Sequence, residues 1–260
     1  MRTTLLFAAA VCALASAASA APIRVPEPMR AAPGIVQVDA KYGDVGDDAD
    51  FLFRLGMLEG HLIVGHELLA AHQPALALPH FGHPVRELYD DIADYMSERK
   101  FPAFDAQLAE LEADVAAAPE SAGTEAKYQA AIATVHRARD LAPADLRDSL
   151  PEMIKVCSNV MDAASGEFGE SLEHGRIAVI VEYHDSRGFL DYVQQQLHDL
   201  GAQHGDAKAQ SVLGRFTAVL AKAQWIVGDL LPGPTPRASV GTYRSFAAEA
   251  AALAQSQAQP

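Results

Sequence analysis

Residues 48–72 read DADFLFRLGMLEGHLIVGHELLAAH. Within them Phe51, Leu55, Leu58, Leu62 and Leu69 recur at spacings of three, four and seven, the stripe of an amphipathic α-helix running from about Asp48 to His72. Pro74 is expected to end it. Outward from this helix the same punctuation repeats. Prolines at or near first turns (Pro84, Pro102) and glycines after last turns (Gly175, Gly201) delimit further helices over about 84–99, 102–117, 124–141, 150–174, 177–200, 206–230 and 239–254. Helices of this length joined by short linkers predict an all-α helical bundle.

Sliding the chain on itself by 103 residues pairs Glu67 with Glu170, Leu69 with Leu172, Ala75 with Ala178 and Tyr89 with Tyr192. A long helix, a tight break and a second helix occur in both places. We read two degenerate four-helix halves, 47–143 and 144–260, meeting near Pro143 to Pro151. Ahead of them, residues 21–46 hold Pro22, Pro26, Pro28, Pro33, Gly34, Gly43 and Gly46 with little periodicity, and are expected to form an extended N-terminal arm.

The first twenty residues carry Arg2, an apolar run from Leu5 to Leu14 and then Ala18-Ser19-Ala20, the pattern of a cleavable signal peptide. Export to the periplasm follows as an expectation. No stretch approaches the roughly 20 apolar residues of a membrane span. The 260 residues contain 34 acidic against 20 basic side chains, a formal charge of −14, which disfavours nucleic acid and anionic lipid as partners. An acidic surface does not repel metal cations. Beyond the leader the single cysteine is Cys157, so no intramolecular disulfide and no Cys-only metal site can form. Cys157 falls on the apolar face of its helix, where an inert thiol is expected.

Five of the ten histidines fall between His61 and His83, interleaved with Glu59, Glu67 and, just beyond, Glu87. Imidazole and carboxylate at this density are the side chains that bind transition metals. Successive helical residues are about 100° apart, which places His61 and His66 on opposite borders of the apolar stripe, roughly 140° from each other. One helix therefore cannot easily bring both to a single ion. Glu59 and His66 share one border, His61 and His72 the other, and each pair needs completion from another helix. His83 and Glu87, four residues apart on one face, are candidates for that role. In the second half His184 shares a face with Val181, Gly188 and Tyr192, and Gly188 in an apolar helix predicts a close backbone approach that would bury His184. The candidate metal ligands are thus Glu59, His61, His66, His83, Glu87 and His184.

Plainer readings stand beside these. His72 and His80 flank prolines and are expected to cap a helix or lie in solvent. Glu167, Glu170 and His174 at helical spacing, and the Asp90, Asp91, Asp94 run, are expected to form solvated faces. His136, His198 and His204 show no carboxylate spacing that suggests a site. No catalytic constellation emerges: His66-Glu67 lacks the second histidine of a zinc-protease helix, and no nucleophile elbow, phosphate loop or paired Glu-x-x-His motif is present.

An exported, acidic, all-α chain with two related helical halves and inward-facing His and Glu resembles the imelysin-like group, which includes EfeO-type periplasmic iron-uptake proteins. That group carries a Gly-x-His-x-x-Glu signature. The nearest segments here are Gly60-His61 and Gly82-His83-Pro84-Val85-Arg86-Glu87, with a different spacing. The resemblance implies binding of a metal or metal complex in the periplasm, not peptidase activity. The leading expectation is a non-enzymatic protein that captures or delivers iron, copper or zinc as its transition-metal ion. Two alternatives remain: a helical interaction or scaffold protein for another envelope protein, with structural histidines, or a bundle holding non-covalent haem through His and Met, with Met57 or Met161 as candidates.

Overall fold

The computed structural model describes residues 45–84 and 88–257; the signal-peptide reading, nearly all of the N-terminal arm and Glu87 lie outside them. The first helix, α1 (Asp48–Ala70), starts where Asp47 accepts a hydrogen bond from the Asp50 amide at 2.8 Å, satisfying one of the open donors of its first turn. Phe51, Leu55, Leu58 and Leu62 are buried, as their spacing requires. The burial is wider than a stripe, however. Glu59, Gly60, His61 and Gly65 are buried as well, because α1 is covered on several sides and behaves as a central helix.

After α1 the chain turns through His72 in the left-handed region (φ 57°) and enters α2 (Pro74–His83). Pro74 is the first residue of this helix, where its fixed φ suits the first turn and its missing N–H is no loss. Pro79 sits inside α2, so His80 and His83 ride on a helix where a turn was expected. Within the stretch 84–99 expected as helix, α3 covers Tyr89–Glu98. Then come α4 (Asp105–Ala117), α5 (Ala122–Arg139) and the short α6 (Ala144–Arg147).

The second half contains α7 (Leu150–Glu170), α8 (Ile180–Gln203), α9 (Ala207–Ile226) and α10 (Val240–Gln257). Ser149 and Asp206 cap α7 and α9 through side-chain bonds to Glu152 and Ala209 amides. The expected continuation of α7 to His174 is broken. Strands β1 (Leu172–Glu173) and β2 (Arg176–Ile177) pair antiparallel around His174 and Gly175, both at positive φ (52° and 74°), the backbone of a two-residue hairpin turn. His174 therefore leaves the helical face of Glu167 and Glu170.

The described residues thus form ten helices and one minimal hairpin, an all-α bundle. In the first half α1, α2, α4 and α5 pack in a closed ring; in the second α7, α8, α9 and α10 do the same, and α1 also lies against α7 and α8. Cys157 is buried in the shared core, where desolvation pushes its thiol up to about 12. Met57 and Met161 are core residues too. None of the helices among the described residues is long and apolar enough to cross a membrane.

Candidate metal centre

Three helices converge where α1 crosses α8, and glycine makes the crossing possible. A Cβ on Gly188 would overlap the carbonyl oxygen of Gly60, so this contact exists only without a side chain at 188. The backbone approach expected from Gly188 is present, and His184, one turn before it, is buried. On the neighbouring face of α1, a Cβ at Gly65 would lie 2.9 Å from the Phe81 ring and 3.2 Å from Cβ of His80. Gly65 thereby lets α2 settle onto α1 with His80 inside. A bidentate Arg187 to Glu67 pair (2.6 and 2.8 Å) ties α8 to α1 one turn further along, and the same guanidinium donates to the Val227 and Gly228 carbonyls.

At this convergence Asp185 is the hub. Its Oδ1 accepts from Nδ1 of His61 at 2.6 Å and from Nδ1 of His80 at 2.7 Å, and its Oδ2 lies 3.3 Å from Nδ1 of His83. The side chains of His61, His80 and Asp185 are at most 4% exposed, while His83, at 18%, forms the solvent side of the group. His184 stands next to it, its ring centroid 5.4 Å from that of His80 and its Nε2–H donating to the Leu230 carbonyl at 2.8 Å. Donor atoms of His61, His80 and Asp185 all lie within 4.8 Å of one another.

Electrostatics divides the roles. Burial by itself would raise the Asp185 carboxyl, but the imidazoles of His61 and His80 outweigh it and hold the group well below the usual carboxylate range. Asp185 is therefore an anion and an acceptor only, so the Nδ1 atoms facing it carry the protons. His80 is pushed below its ordinary value by burial, in spite of Asp185. His184 is lowered to about 4 by burial and by its neighbour His80. Near neutral pH both rings are neutral and offer a lone pair, the state that metal ligation requires.

The other expected ligands are distributed differently. Glu59 is buried and accepts from His136 Nε2 at 2.7 Å, a partnership its sequence spacing did not suggest. His66 bonds to Glu125 at 2.8 Å and stacks on Tyr128 at 4.0 Å, so the Glu59 and His66 pairing expected from α1 is not made; both side chains are taken up by α5. His72 is exposed and bonds to Glu120, as a helix-end residue should. Asp91, expected in solvent, is buried against Arg54 at 2.6 Å.

Two members of the centre were not read as site residues. Pro79 marks His80 as a cap or loop residue in the sequence, yet its side chain is fully buried. Asp185 has no motif of its own in the sequence; its signal is its place three residues before Gly188, on the face of α8 where close approach is expected. A second group, Glu167, Glu170 and Glu182, also has oxygens within 4.8 Å of one another, but Glu170 is exposed. Exposed carboxylates gather often without an ion. The buried mixed nitrogen and oxygen set is the distinctive one.

A helical bundle with a buried His and Asp cluster is the class that fold and site define. Residues 143–225, from the start of α6 almost to the end of α9, match the family described as iron permease-associated 4-helix bundle domain. That stretch carries His184 and Asp185 but neither His61 nor His80. It makes the second half similar to a helical family with a metal connection. Comparison with curated proteins and with solved structures gave no match.

Proposed function

We propose that this chain is an exported, non-enzymatic protein that captures or delivers a transition-metal ion at a centre built around His61, His80, His83 and Asp185. The observation that carries the reading is the meeting of three buried metal-ligand side chains, from α1, α2 and α8, with donor atoms within 4.8 Å. Burying an ionised carboxylate among imidazoles is not required to fill a helical core, since apolar residues of similar volume do so with equal or greater stability. Imidazole with carboxylate suits iron, zinc or copper. The similarity of 143–225 to an iron permease-associated family supports iron as the first ion to test, and the narrower likeness to EfeO-type proteins belongs to the same reading. Export rests on the leader-like first twenty residues, and the excess of acidic side chains fits a metal cation or another envelope protein as partner. The recurrence of a closed four-helix ring in each half supports a degenerate duplication with the centre at the junction of the halves.

The test is calorimetric titration of metal-free protein with ferrous, cupric and zinc ions. Uptake of at least one of them tighter than about a micromolar dissociation constant is expected. A protein that takes up none of the three would retire the reading in favour of a scaffold with structural histidines.

A further inference from the structure

We propose that the ion is held by two adjacent-ring nitrogens that are buried and make no hydrogen bond, Nε2 of His80 and Nδ1 of His184, with Asp185 serving as a positioning carboxylate one residue removed from the metal. The inference rests on the metal-centre reading above and places the ion on the side of His80 away from Asp185, with His184 as the second ligand.

Asp185 accepts the Nδ1–H groups of His61 and His80, which fixes the His80 tautomer and leaves its lone pair on Nε2. His184 is fixed in the opposite sense. Its Nε2–H donates to the Leu230 carbonyl, so its lone pair is on Nδ1. These two atoms, His80 Nε2 and His184 Nδ1, are fully buried and make no hydrogen bond. Two neighbouring acceptors in that state are unfavourable unless something arrives that lone pairs can bind, and a cation satisfies both at once.

The ring geometry suits that ligand. With metal to nitrogen bonds of about 2.0–2.1 Å, two imidazoles on one ion, at angles from tetrahedral to linear, have centroids roughly 5 to 6.4 Å apart. His80 and His184 are 5.4 Å apart with their planes at 70°. The pairs His61 with His83 (5.7 Å) and His80 with His83 (6.2 Å) also fall in that window, but the Asp185 carboxylate that each of these rings faces already accounts for their closeness, whereas His184 bonds to Leu230 instead. The carboxylate to imidazole to metal order is the arrangement that orients a ligating histidine and strengthens it as a donor. Adjacent positions on α8 supply both parts, since His184 and Asp185 project about 100° apart.

Two measurements on the full chain test the assignment. In His184→Gln the side-chain amide can still donate toward Leu230 while the Nδ1 lone pair is gone. We expect it to melt at the wild-type temperature and to bind copper(II), the tightest of the divalent ions at nitrogen sites, at least about 100-fold more weakly. Asp185→Asn is expected to weaken copper by about 10- to 100-fold while keeping imidazole nitrogen hyperfine structure in its paramagnetic resonance spectrum. In the wild type, nitrogen resonances followed during zinc addition should move most at His80 Nε2 and His184 Nδ1, with His80 Nδ1 still protonated. This second measurement stands even if the variants fold poorly. Wild-type affinity in His184→Gln, or loss of the His80 Nδ1 proton on zinc binding, overturns the inference and leaves a centre on the Asp185 side intact. A wild-type chain that binds no ion overturns both readings.

Discussion

Gly188 of α8 rests against the carbonyl oxygen of Gly60 of α1, and the contact leaves no room for even a methyl group. Since His61 follows Gly60 and Asp185 precedes Gly188 by one turn, this contact sets the spacing of the buried cluster. Gly188→Ala must push the two helices apart, and overpacking of this kind destabilises by roughly 1–3 kcal/mol, occasionally more. Urea unfolding should register that loss, and Gly65→Ala, which meets side chains instead of backbone, should lose less. Equal stability in Gly188→Ala and wild type would contradict so close a crossing.

Asp185 stabilises the fold through the imidazoles it holds, so Asp185→Ala should lose about 2–4 kcal/mol at neutral pH by leaving buried donors without an acceptor. The sign of the pH effect follows from its depressed acidity. A carboxyl with a folded value below its unfolded value of about 3.9 stabilises fully above that pH and loses the contribution as pH falls toward the folded value. Urea midpoints of wild type and Asp185→Ala should therefore converge in strong acid, and a gap that stays constant down to pH 2 would count against this role.

His184 acts in a different window. Its folded value of about 4 lies below the unfolded value of about 6.5, so the neutral buried ring favours folding at higher pH and that advantage is lost as pH falls from 6.5 through 4. His80, lowered by burial, adds to the same trend. Nitrogen chemical shifts at pH 6 should find the His184 ring neutral with its proton on Nε2, and at neutral pH His80 should carry its proton on Nδ1. His184→Gln should lose less stability than wild type between pH 6.5 and 4; an identical slope would remove His184 from the account.

The His136 and Glu59 pair has the opposite sign. His136 is raised above its ordinary value, first by its bond to Glu59. A histidine raised in the folded state contributes fully below about 6.5 and loses that contribution as pH rises through the folded value. His136→Gln should therefore fall short of wild type in melting temperature most near pH 5.5 and match it in mildly alkaline buffer. The difference will be modest, because the His136 side chain is about half exposed.

Much of the architecture was legible from local rules. The α1 stripe and the helical character of nearly every periodic segment depend on neighbours within a few residues, which a sequence displays directly. The errors fell where one residue type permits two outcomes. Pro74 follows the end of α1 as expected and also starts α2, Pro79 is carried inside α2, and His174-Gly175 makes a hairpin turn instead of ending a helix. Proline and glycine constrain φ without deciding which element follows.

The centre was legible only in part, for a related reason. The histidine-rich segment marked α1 and α2 as chemically unusual, and Gly188 marked a face of α8 that must be buried. Helix periodicity assigns a direction to each side chain, but it does not assign the neighbour in that direction. His66 and Glu59 found α5, while His61 and His80 found an aspartate 124 and 105 residues further along the chain.

The sequence by itself determined an acidic, all-α chain, the burial of His184 beside Gly188, and an inert Cys157, because charge, periodicity and the size of a missing side chain are written locally. Only the tertiary structure decided that Asp185 gathers His61, His80 and His83 and that Glu59 turns away to His136. Those partnerships depend on where α1, α2, α5 and α8 cross, and the crossings are set by packing across the whole core.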